Sequence, residues 1–466
     1  MNTQLIMRTL GKFLAILSVP SLLCAVWALG SDRYHQASLF VLLVTCLVVL
    51  SAVLLIAIPK NTSQAAGLKE TVWFLMSAWG CLSLLGAIPF VLVTDGELTL
   101  ALFESVSCAT TTGASMIDYA TPLSPSLVAW RGVLHFMGAT LSISGTIVLL
   151  AQSAANGDFG GQKIQAKSVG LTLKLSTFSR LFAVVAAVIA IFALIPFVEL
   201  TMSGFALREA FSLSVGAATS GQVLPYEFGA KIASSWSGFL LALILLVASM
   251  DMTVFLSLPR DYLKSFRDSE MLWMFGVIVL LLGILFFIQS NIDPLLAFSE
   301  AASIVSTSGL MLPDEKLASI GVPVLIFFGF VGGSAISATG GMKLFRLRLL
   351  MARTGYEFSR LAQPNAIMKF QMSKVQNPVI SMMTVWVYFL GFAVVAAALA
   401  SYLSILGLDF DDALMVSTGA VTNSAALFRT ELLGEFQNAF THVILTISMV
   451  FGRLELLLLL SLVFRA

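Results

Sequence analysis

Residues 104–113 have the side-chain types that suit a partly dehydrated cation. They read ESVSCATTTG and lie between two long apolar runs. The stretch is too short to cross a bilayer, which takes about 20 helical residues. Its end is rich in hydroxyl and carbonyl oxygens, and non-helical backbone at membrane depth is tolerated only where protein or a water-filled cavity surrounds it. We therefore predict a short pore helix that leads into part of an ion filter.

Three later segments, 209–221, 300–309 and 412–424, repeat this pattern of an opening acid and a hydroxyl-rich end. The acid precedes the closing residue by nine positions in the first and third segments (104 to 113, 300 to 309) and by twelve in the others (209 to 221, 412 to 424). The repetition predicts four loops around one axis, so that a single chain forms one filter. The predicted filter residues are Thr110, Thr111, Thr112, Gly113, Thr219, Ser220, Gly221, Ser306, Thr307, Ser308, Gly309, Val421, Thr422, Asn423 and Ser424.

Glycine suits such loops because it adopts the backbone conformations that turn successive carbonyls inward. Gly113, Gly221 and Gly309 fit this role, whereas Ser424 stands where a fourth glycine is expected. The opening acids are expected near helix N-termini, where a carboxylate stabilises the helix dipole, rather than as ligands of the ion. These acids are Glu104, Glu209, Glu300 and Asp412.

The composition indicates an all-α polytopic membrane protein. The chain is 58% hydrophobic and 11% charged, with a mean hydropathy of +0.96, which is too apolar for a soluble protein of this length. About ten transmembrane helices are predicted, at 11–30, 37–58, 72–94, 126–151, 178–199, 236–258, 272–290, 319–342, 378–406 and 437–464. They form two extra helices (1–70) and then four span–pore loop–span repeats around one central pore, at 71–170, 171–265, 266–376 and 377–466.

The placement of charge predicts the orientation. With a cytoplasmic N-terminus, most lysines and arginines fall on the cytoplasmic side, as the positive-inside rule requires. The acids collect on the outer side, where they raise the local cation concentration.

No phosphate-binding loop, catalytic triad or metal-ligand spacing occurs in the sequence, so we expect neither an enzyme nor a nucleic-acid-binding protein, and no covalently bound cofactor.

The eighth predicted span contains the sequence GGSAISATGGMK at 332–343. Four glycines and several small polar residues at mid-membrane are expected to break the helix into a flexible loop below the filter, where it would block the pore. Close helix packing through small residues is the alternative.

The last apolar run holds the motif Gly-Arg-Leu-Glu at 452–455. Ionisable residues within a span are costly and indicate an internal partner or a pore wall. Asp251 is one possible partner for Arg453, and a position at the cytoplasmic end is equally open. The predicted gate residues are Gly332, Gly333, Gly340, Gly341, Lys343 and Arg453.

Together, the loop 110–113, the segment 332–343 and the motif 452–455 resemble the TrkH-type subunit of the Trk/Ktr/HKT superfamily of potassium transporters, over nearly the whole chain. The resemblance implies potassium uptake across the bacterial inner membrane, with potassium bound at the filter residues. It also implies a homodimer in the lipid bilayer, a cytosolic TrkA-type nucleotide-binding subunit as partner, and a position for Arg453 near the gating loop.

The sequence departs from the family pattern at two places. The fourth loop ends in Asn423-Ser424 where glycine is usual, and residues 136–141 replace a glycine-rich stretch. Two alternatives therefore stand beside potassium uptake. One is a weakly selective or sodium-preferring transporter of the same fold, and the other is a regulatory relative that conducts no ions.

Overall fold

The structure is a computed structural model, and the regular elements in the residues that it describes are all helices, with no strand. These are residues 2–58, 67–117, 123–156, 175–223, 232–256, 269–289, 292–312, 320–363, 378–428 and 438–453. The first half contains α1 (Thr3–Gly30), α2 (Tyr34–Ala57), α3 (Leu68–Gly86), α4 (Leu98–Ala109), α5 (Pro125–Asn156), α6 (Phe178–Met202), α7 (Leu207–Thr219) and α8 (Trp236–Ser249). The second half contains α9 (Met252–Leu256), α10 (Ser269–Ile288), α11 (Pro294–Val305), α12 (Val322–Val331), α13 (Leu344–Ala362), α14 (Pro378–Leu406), α15 (Phe410–Thr422) and α16 (Ala439–Arg453).

The apolar helices account for the predicted spans. Among the described residues, six stretches are long and apolar enough to cross a membrane; they lie in α1, α2, α3 with the 3-10 turn Ile88–Phe90, α5, α6 and α14. The shorter apolar helices α8, α10, α12 and α16 occupy the other four predicted spans. The chain is therefore a multi-pass membrane protein, as predicted.

Two predicted spans are interrupted. The eighth breaks where α12 ends at Val331, as its glycines predict, and the chain returns to helix only at Leu344. The sixth was predicted to be continuous over 236–258, and this is wrong, because α8 ends at Ser249 and Met250 is extended. The break frees the backbone groups at the end of α8 to bond residues 332–343, as described below.

The four units after α1 and α2 form a closed ring. Four short helices, which we call the pore helices, are α4, α7, α11 and α15. Each packs on the first and last long helix of its own unit and on the last helix of the preceding unit: α7 on α5, α11 on α8, α15 on α12, and α4 on α16. This packing gives the central arrangement that the repeats predict; the residue boundaries of the units stay predictions.

The pore helices owe their position to a change in side-chain character along their length. In α4, the first residues are partly exposed, and every residue from Phe103 to the end of the helix is buried. Small residues and hydroxyls dominate this enclosed end. A helix of this kind buries its C-terminal end among other helices, and the loop that follows it lies in the centre of the ring.

Candidate ion filter and intramembrane segment

The predicted filter residues lie in four loops, each at the C-terminal end of a pore helix. We call them loop 1 (110–113), loop 2 (219–221), loop 3 (306–309) and loop 4 (421–424). All of their residues are buried. The structure brings the four loops together at one place in the ring, and they fall into two pairs by backbone conformation.

Loops 1 and 3 share one conformation. Thr111 and Gly113 have φ of 59° and 77°, and the corresponding Thr307 and Gly309 have φ of 63° and 62°. Positive φ is uncommon for residues other than glycine and carries strain. Each loop therefore turns through the left-handed region twice within three residues.

The two closing glycines of this pair are required by space as well as by conformation. A Cβ on Gly113 would lie 2.5 Å from the backbone nitrogen of Gln222, which follows loop 2. A Cβ on Gly309 would lie 2.7 Å from the backbone nitrogen of Ala426, which follows loop 4. Each glycine thus lets one loop lie directly against the next.

Loops 2 and 4 share a different conformation. Only one residue in each, Ser220 or Asn423, is left-handed, with φ of 53° in both. The backbone nitrogen of Gly221 donates to the Gly216 carbonyl at 3.0 Å, and that of Ser424 donates to the Gly419 carbonyl at 2.9 Å. Gly221 and Ser424 therefore occupy equivalent places, and both lie outside the left-handed region.

Gly221 is required by the packing around it rather than by its backbone conformation. A Cβ there would collide with the imidazole of His135 in α5, whose Cε1 would be 2.6 Å away. The Ser424 side chain lies beside Gly329 of α12. Its hydroxyl oxygen would be 3.9 Å away even from a Cβ added to Gly329, which is an ordinary contact distance. Loop 4 therefore has room for a serine side chain where loop 2 has room for none.

Contacts between successive loops close the ring. Loop 1 meets loop 2 at Gly113, and loop 3 meets loop 4 at Gly309, as described above. The end of loop 3 reaches α7, since a Cβ on Gly216 would lie 3.3 Å from Leu310. Loop 4 returns to loop 1 through Asn423, whose side-chain amide donates to the Thr112 hydroxyl at 3.0 Å and to the Met449 carbonyl at 2.9 Å.

The opening acids divide between the same two pairs of loops. Glu209 and Asp412 lie in the first turns of α7 and α15, where the sequence predicts them. The prediction is wrong for Glu104 and Glu300, which lie in the middle of α4 and α11 and are fully buried. Glu104 pairs with Arg131 of α5 at 2.7 Å. In these two helices, the carboxylate lies in the protein interior and does not cap the helix N-terminus.

Residues 332–343, which we call the intramembrane segment, cross beneath the loops in non-helical conformation. The backbone nitrogen of Gly340 donates to the Thr307 hydroxyl of loop 3 at 2.9 Å. The backbone nitrogen of Gly341 donates to the Thr422 carbonyl of loop 4 at 2.8 Å. A Cβ on Gly340 would overlap the same Thr422 carbonyl. The segment is thus hydrogen-bonded directly to two of the filter loops.

The intramembrane segment is also fixed to the interrupted sixth span. Ser334 donates its backbone N–H to the Ser249 carbonyl at 2.9 Å, and Met252 donates to the Ile336 carbonyl at 2.8 Å. Its own turns need glycine, since Gly332 and Gly341 have φ of 60° and 79° and lie against each other. The backbone nitrogen of Gly333 donates to the Thr339 hydroxyl at 3.1 Å, which joins the two halves of the segment.

Two cations converge on this segment. The Arg453 guanidinium at the end of α16 donates to the carbonyls of Ala338, at 2.8 Å, and Thr339, at 3.2 Å. The Lys343 ammonium donates to the same Thr339 carbonyl at 2.5 Å. Both residues border a cavity of about 20 Å³ beneath the loops.

The predicted partner of Arg453, Asp251, accepts from the backbone N–H and the hydroxyl of Thr253, and its pairing with Arg453 stays a prediction. Residue 455 of the sequence motif lies outside the described residues.

Sequence reasoning missed Arg131, His135 and the bonding of the Asn423 side chain. Arg131 carried a usable signal, because it is an ionisable residue within the apolar run 126–151. His135 gave no such signal, since an isolated histidine in a span is more often a packing residue than a functional one. Its contact with Gly221 depends on how two distant helices meet.

Several known proteins are similar to this chain over nearly its whole length. The Trk system potassium uptake protein TrkH of Halomonas elongata is 26% identical over 484 residues, which cover 98% of this chain and 97% of the relative. The TrkH proteins of Salmonella typhimurium and Escherichia coli K12 are 26% and 25% identical, and each match covers 99% of this chain and 98% of the relative. These names are those of transporters, in line with a chain that is not an enzyme.

One solved structure has the same fold. The crystal structure of the potassium transporter TrkH from Vibrio parahaemolyticus matches with a TM-score of 0.79 and 24% sequence identity, and the match covers 99% of this chain and 98% of that one. No family model matches the chain. The all-α membrane fold predicted from the sequence is confirmed by this match.

Proposed function

Because this chain is a TrkH-type member of the Trk/Ktr/HKT superfamily, we propose that it carries potassium ions through one pore lined by its four filter loops. The observation that best supports this is the closed ring of pore helices, whose C-terminal ends lead into four neighbouring loops. The C-terminal end of a helix carries a partial negative charge and favours a cation. Four such ends directed at one place suit a cation and disfavour an anion.

The bonding of the loop hydroxyls supports carbonyl oxygens as the ion ligands. The hydroxyls of Thr110, Thr219 and Thr422 each donate to the backbone carbonyl four residues earlier, at 2.7–2.8 Å. Such bonds tie the loops to their pore helices. The ligands of a dehydrated monovalent ion then come mainly from backbone carbonyls, as in other selectivity filters. We propose this role for all the predicted filter residues.

Ser424 is compatible with a potassium filter. The residue lies outside the left-handed region, so its backbone conformation does not call for glycine. This removes the main argument from the sequence for a weakly selective or sodium-preferring protein. Sodium transport and a non-conducting regulatory role are outcomes that the experiment below distinguishes.

We propose that the intramembrane segment is the gate, and that the described conformation is the closed one. The segment lies beneath the loops and carries two cations, Lys343 and Arg453, on the Thr339 carbonyl. Positive charge on the ion path raises the barrier to a permeant cation. Its hydrogen bonds to loops 3 and 4 would have to break before the segment could move aside.

Replacing Arg453 tests this gate. Arg453→Ala removes two hydrogen bonds to the segment and one charge from its lower face, so we expect the rate of rubidium uptake into liposomes to rise severalfold. Arg33→Ala is the control, because Arg33 lies between α1 and α2, outside the four units that form the ring. Normal amounts of folded Arg453→Ala protein with an unchanged or lower rate would contradict a closing role.

Localisation, orientation and partners are part of the same proposal. We place the chain in the bacterial inner membrane with its N-terminus in the cytoplasm, on the basis of the charge distribution. A homodimer and a cytosolic TrkA-type regulatory subunit are proposed from the resemblance. The basic helix α13, which follows the gate, is the part of the chain that we expect to face such a subunit.

A potassium-uptake-deficient bacterium grown at low external potassium tests the function. We expect the chain to restore growth, and Gly113→Asp, which places a side chain where even a Cβ would lie 2.5 Å from the backbone nitrogen of Gln222, to abolish the rescue. Purified protein in liposomes should then take up radioactive rubidium faster than radioactive sodium. Equal uptake of both ions would favour the weakly selective alternative, and no uptake with a regulatory subunit present would favour the non-conducting one.

A further inference from the structure

We propose that Glu104 and Arg131 position loop 1 and thereby set the preference of the filter for potassium over sodium. This inference rests on the proposed cation-conducting function. It assigns a role to two charged residues that lie behind the filter and bond the residues that follow loop 1. Both are fully buried, with no exposed surface on either side chain.

The carboxylate of Glu104 is the centre of a small hydrogen-bond network. One oxygen accepts from the Arg131 guanidinium at 2.7 Å. The other accepts from the Ser115 hydroxyl at 2.8 Å and from the backbone nitrogen of Met116 at 2.7 Å. The carboxylate therefore joins the pore helix α4 to the chain that leaves loop 1.

Arg131 adds the third part of the structure. It lies on α5, and the nitrogen that binds Glu104 also donates to the Ser115 hydroxyl at 3.0 Å. The pair therefore holds α4, α5 and residues 115–116 in one fixed arrangement. Because both charges are out of water, the network tolerates little change in geometry.

Loop 1 is consequently fixed at both ends. At its start, the Thr110 hydroxyl donates to the Val106 carbonyl at 2.8 Å. At its end, the backbone nitrogen of Gly113 donates to the Ser107 carbonyl at 3.2 Å, and Glu104 holds Met116 just beyond the loop. Within the loop held in this way, Thr111 and Gly113 adopt left-handed conformations that persist only where the surroundings enforce them.

The pair acts through the loop and is not a ligand of the ion. Both carboxylate oxygens are already taken by donors of the protein, and neither residue belongs to the four loops. Selectivity between two monovalent cations depends on how the ring of carbonyls is held. Loosening one of the four loops would allow its carbonyls to close around the smaller ion.

A charge-neutral substitution tests this role. Glu104→Gln keeps an acceptor for Met116 but turns an amide towards the Arg131 guanidinium, which is also a donor. We expect the ratio of rubidium to sodium uptake in liposomes to fall about tenfold, the size of effect expected for directly coupled residues. Arg131→Met, which leaves the carboxylate without its cation, should lower the ratio in the same direction.

Glu199→Gln is the matched control. Glu199 also accepts a hydrogen bond from a serine, Ser237 at 2.8 Å, but it lies near the end of α6, away from the loops. Its substitution should leave the uptake ratio unchanged. A folded Glu104→Gln protein with the wild-type ratio would overturn the proposal.

Two further measurements keep the test decisive. If the single variants do not fold, the double variant Glu104→Leu/Arg131→Met removes both charges together, and a wild-type uptake ratio in it would also overturn the proposal. The melting temperature in potassium against sodium provides a readout without transport; we expect the difference to shrink in Glu104→Gln. Absence of cation uptake by the wild type would instead count against the proposed function, and this melting difference would still test the pair.

Discussion

Loops 1 and 3 turn through the left-handed region twice, whereas loops 2 and 4 do so once. The first pair ends in glycines that have positive φ and lie against the next loop. The second pair ends in residues of ordinary conformation, one a glycine and the other a serine. The ring therefore has four members but only two designs, which alternate. A closing glycine is required by its positive φ in loops 1 and 3, and by its close contact with His135 in loop 2.

The buried carboxylates follow the same alternation. Nine positions before the closing residue stand Glu104 in the first unit and Glu300 in the third, whereas Ser212 (221 − 9) and Met415 (424 − 9) stand there in the second and fourth. The strained pair of loops is thus the pair that has an acid buried in the pore helix behind it. In the first unit, this acid bonds the chain that leaves the loop.

Gly113→Ala should have the largest effect. Alanine at φ 77° is strained, and its Cβ would approach the backbone of Gln222 to 2.5 Å, where no side chain can move aside. We expect rubidium uptake to fall about tenfold or more, the cost of strain of this kind. Substituting Gln222 with alanine should give no recovery, because the clash is with its backbone. Near-normal uptake in Gly113→Ala would remove the distinction between the two loop designs.

Gly221→Ala should have a smaller and reversible effect. The new methyl group would meet the His135 side chain, while its backbone conformation suits any residue. Uptake should therefore drop in the single variant and recover in Gly221→Ala/His135→Ala, measured in the same liposome assay. If the double variant is no better than the single one, Gly221 is required for a reason other than space.

Thr307→Val tests whether loop 3 binds the intramembrane segment more strongly than loop 1 does. It removes the hydroxyl that accepts from Gly340 at 2.9 Å, a bond worth about 1 kcal/mol, so the uptake rate should rise about fivefold. Thr111→Val is the control, since its hydroxyl reaches the Ala338 carbonyl only at 3.5 Å. Equal effects of the two substitutions would show that loop 3 has no special hold on the segment.

Ser424→Gly should have the smallest effect. The position is outside the left-handed region, and its side chain fits beside α12, so glycine relieves no strain. We expect the ratio of rubidium to sodium uptake to stay within about twofold of the wild type, as for a substitution that leaves the backbone conformation unchanged. A large gain in selectivity would mean that loop 4 does set the preference.

The membrane class, the repeats and the broken eighth span were predictable because apolar length and glycine content act locally along the chain. The interruption of the sixth span was not, since the Ser249 carbonyl there bonds Ser334, which lies 85 residues later in the chain (334 − 249). Glu104 was placed at a helix start because the spacing of an acid does not reveal where its helix begins. Ser424 drew attention as a missing glycine, and only its φ value shows that none is needed.

Anomalous scattering from crystals grown in rubidium, a heavy substitute for potassium, locates the bound ion directly. We expect a peak inside the ring, within coordinating distance of backbone carbonyls from all four loops and above the intramembrane segment. Rubidium bound elsewhere, with no peak inside the ring in protein that still transports it, would show that the four loops are not the ion filter.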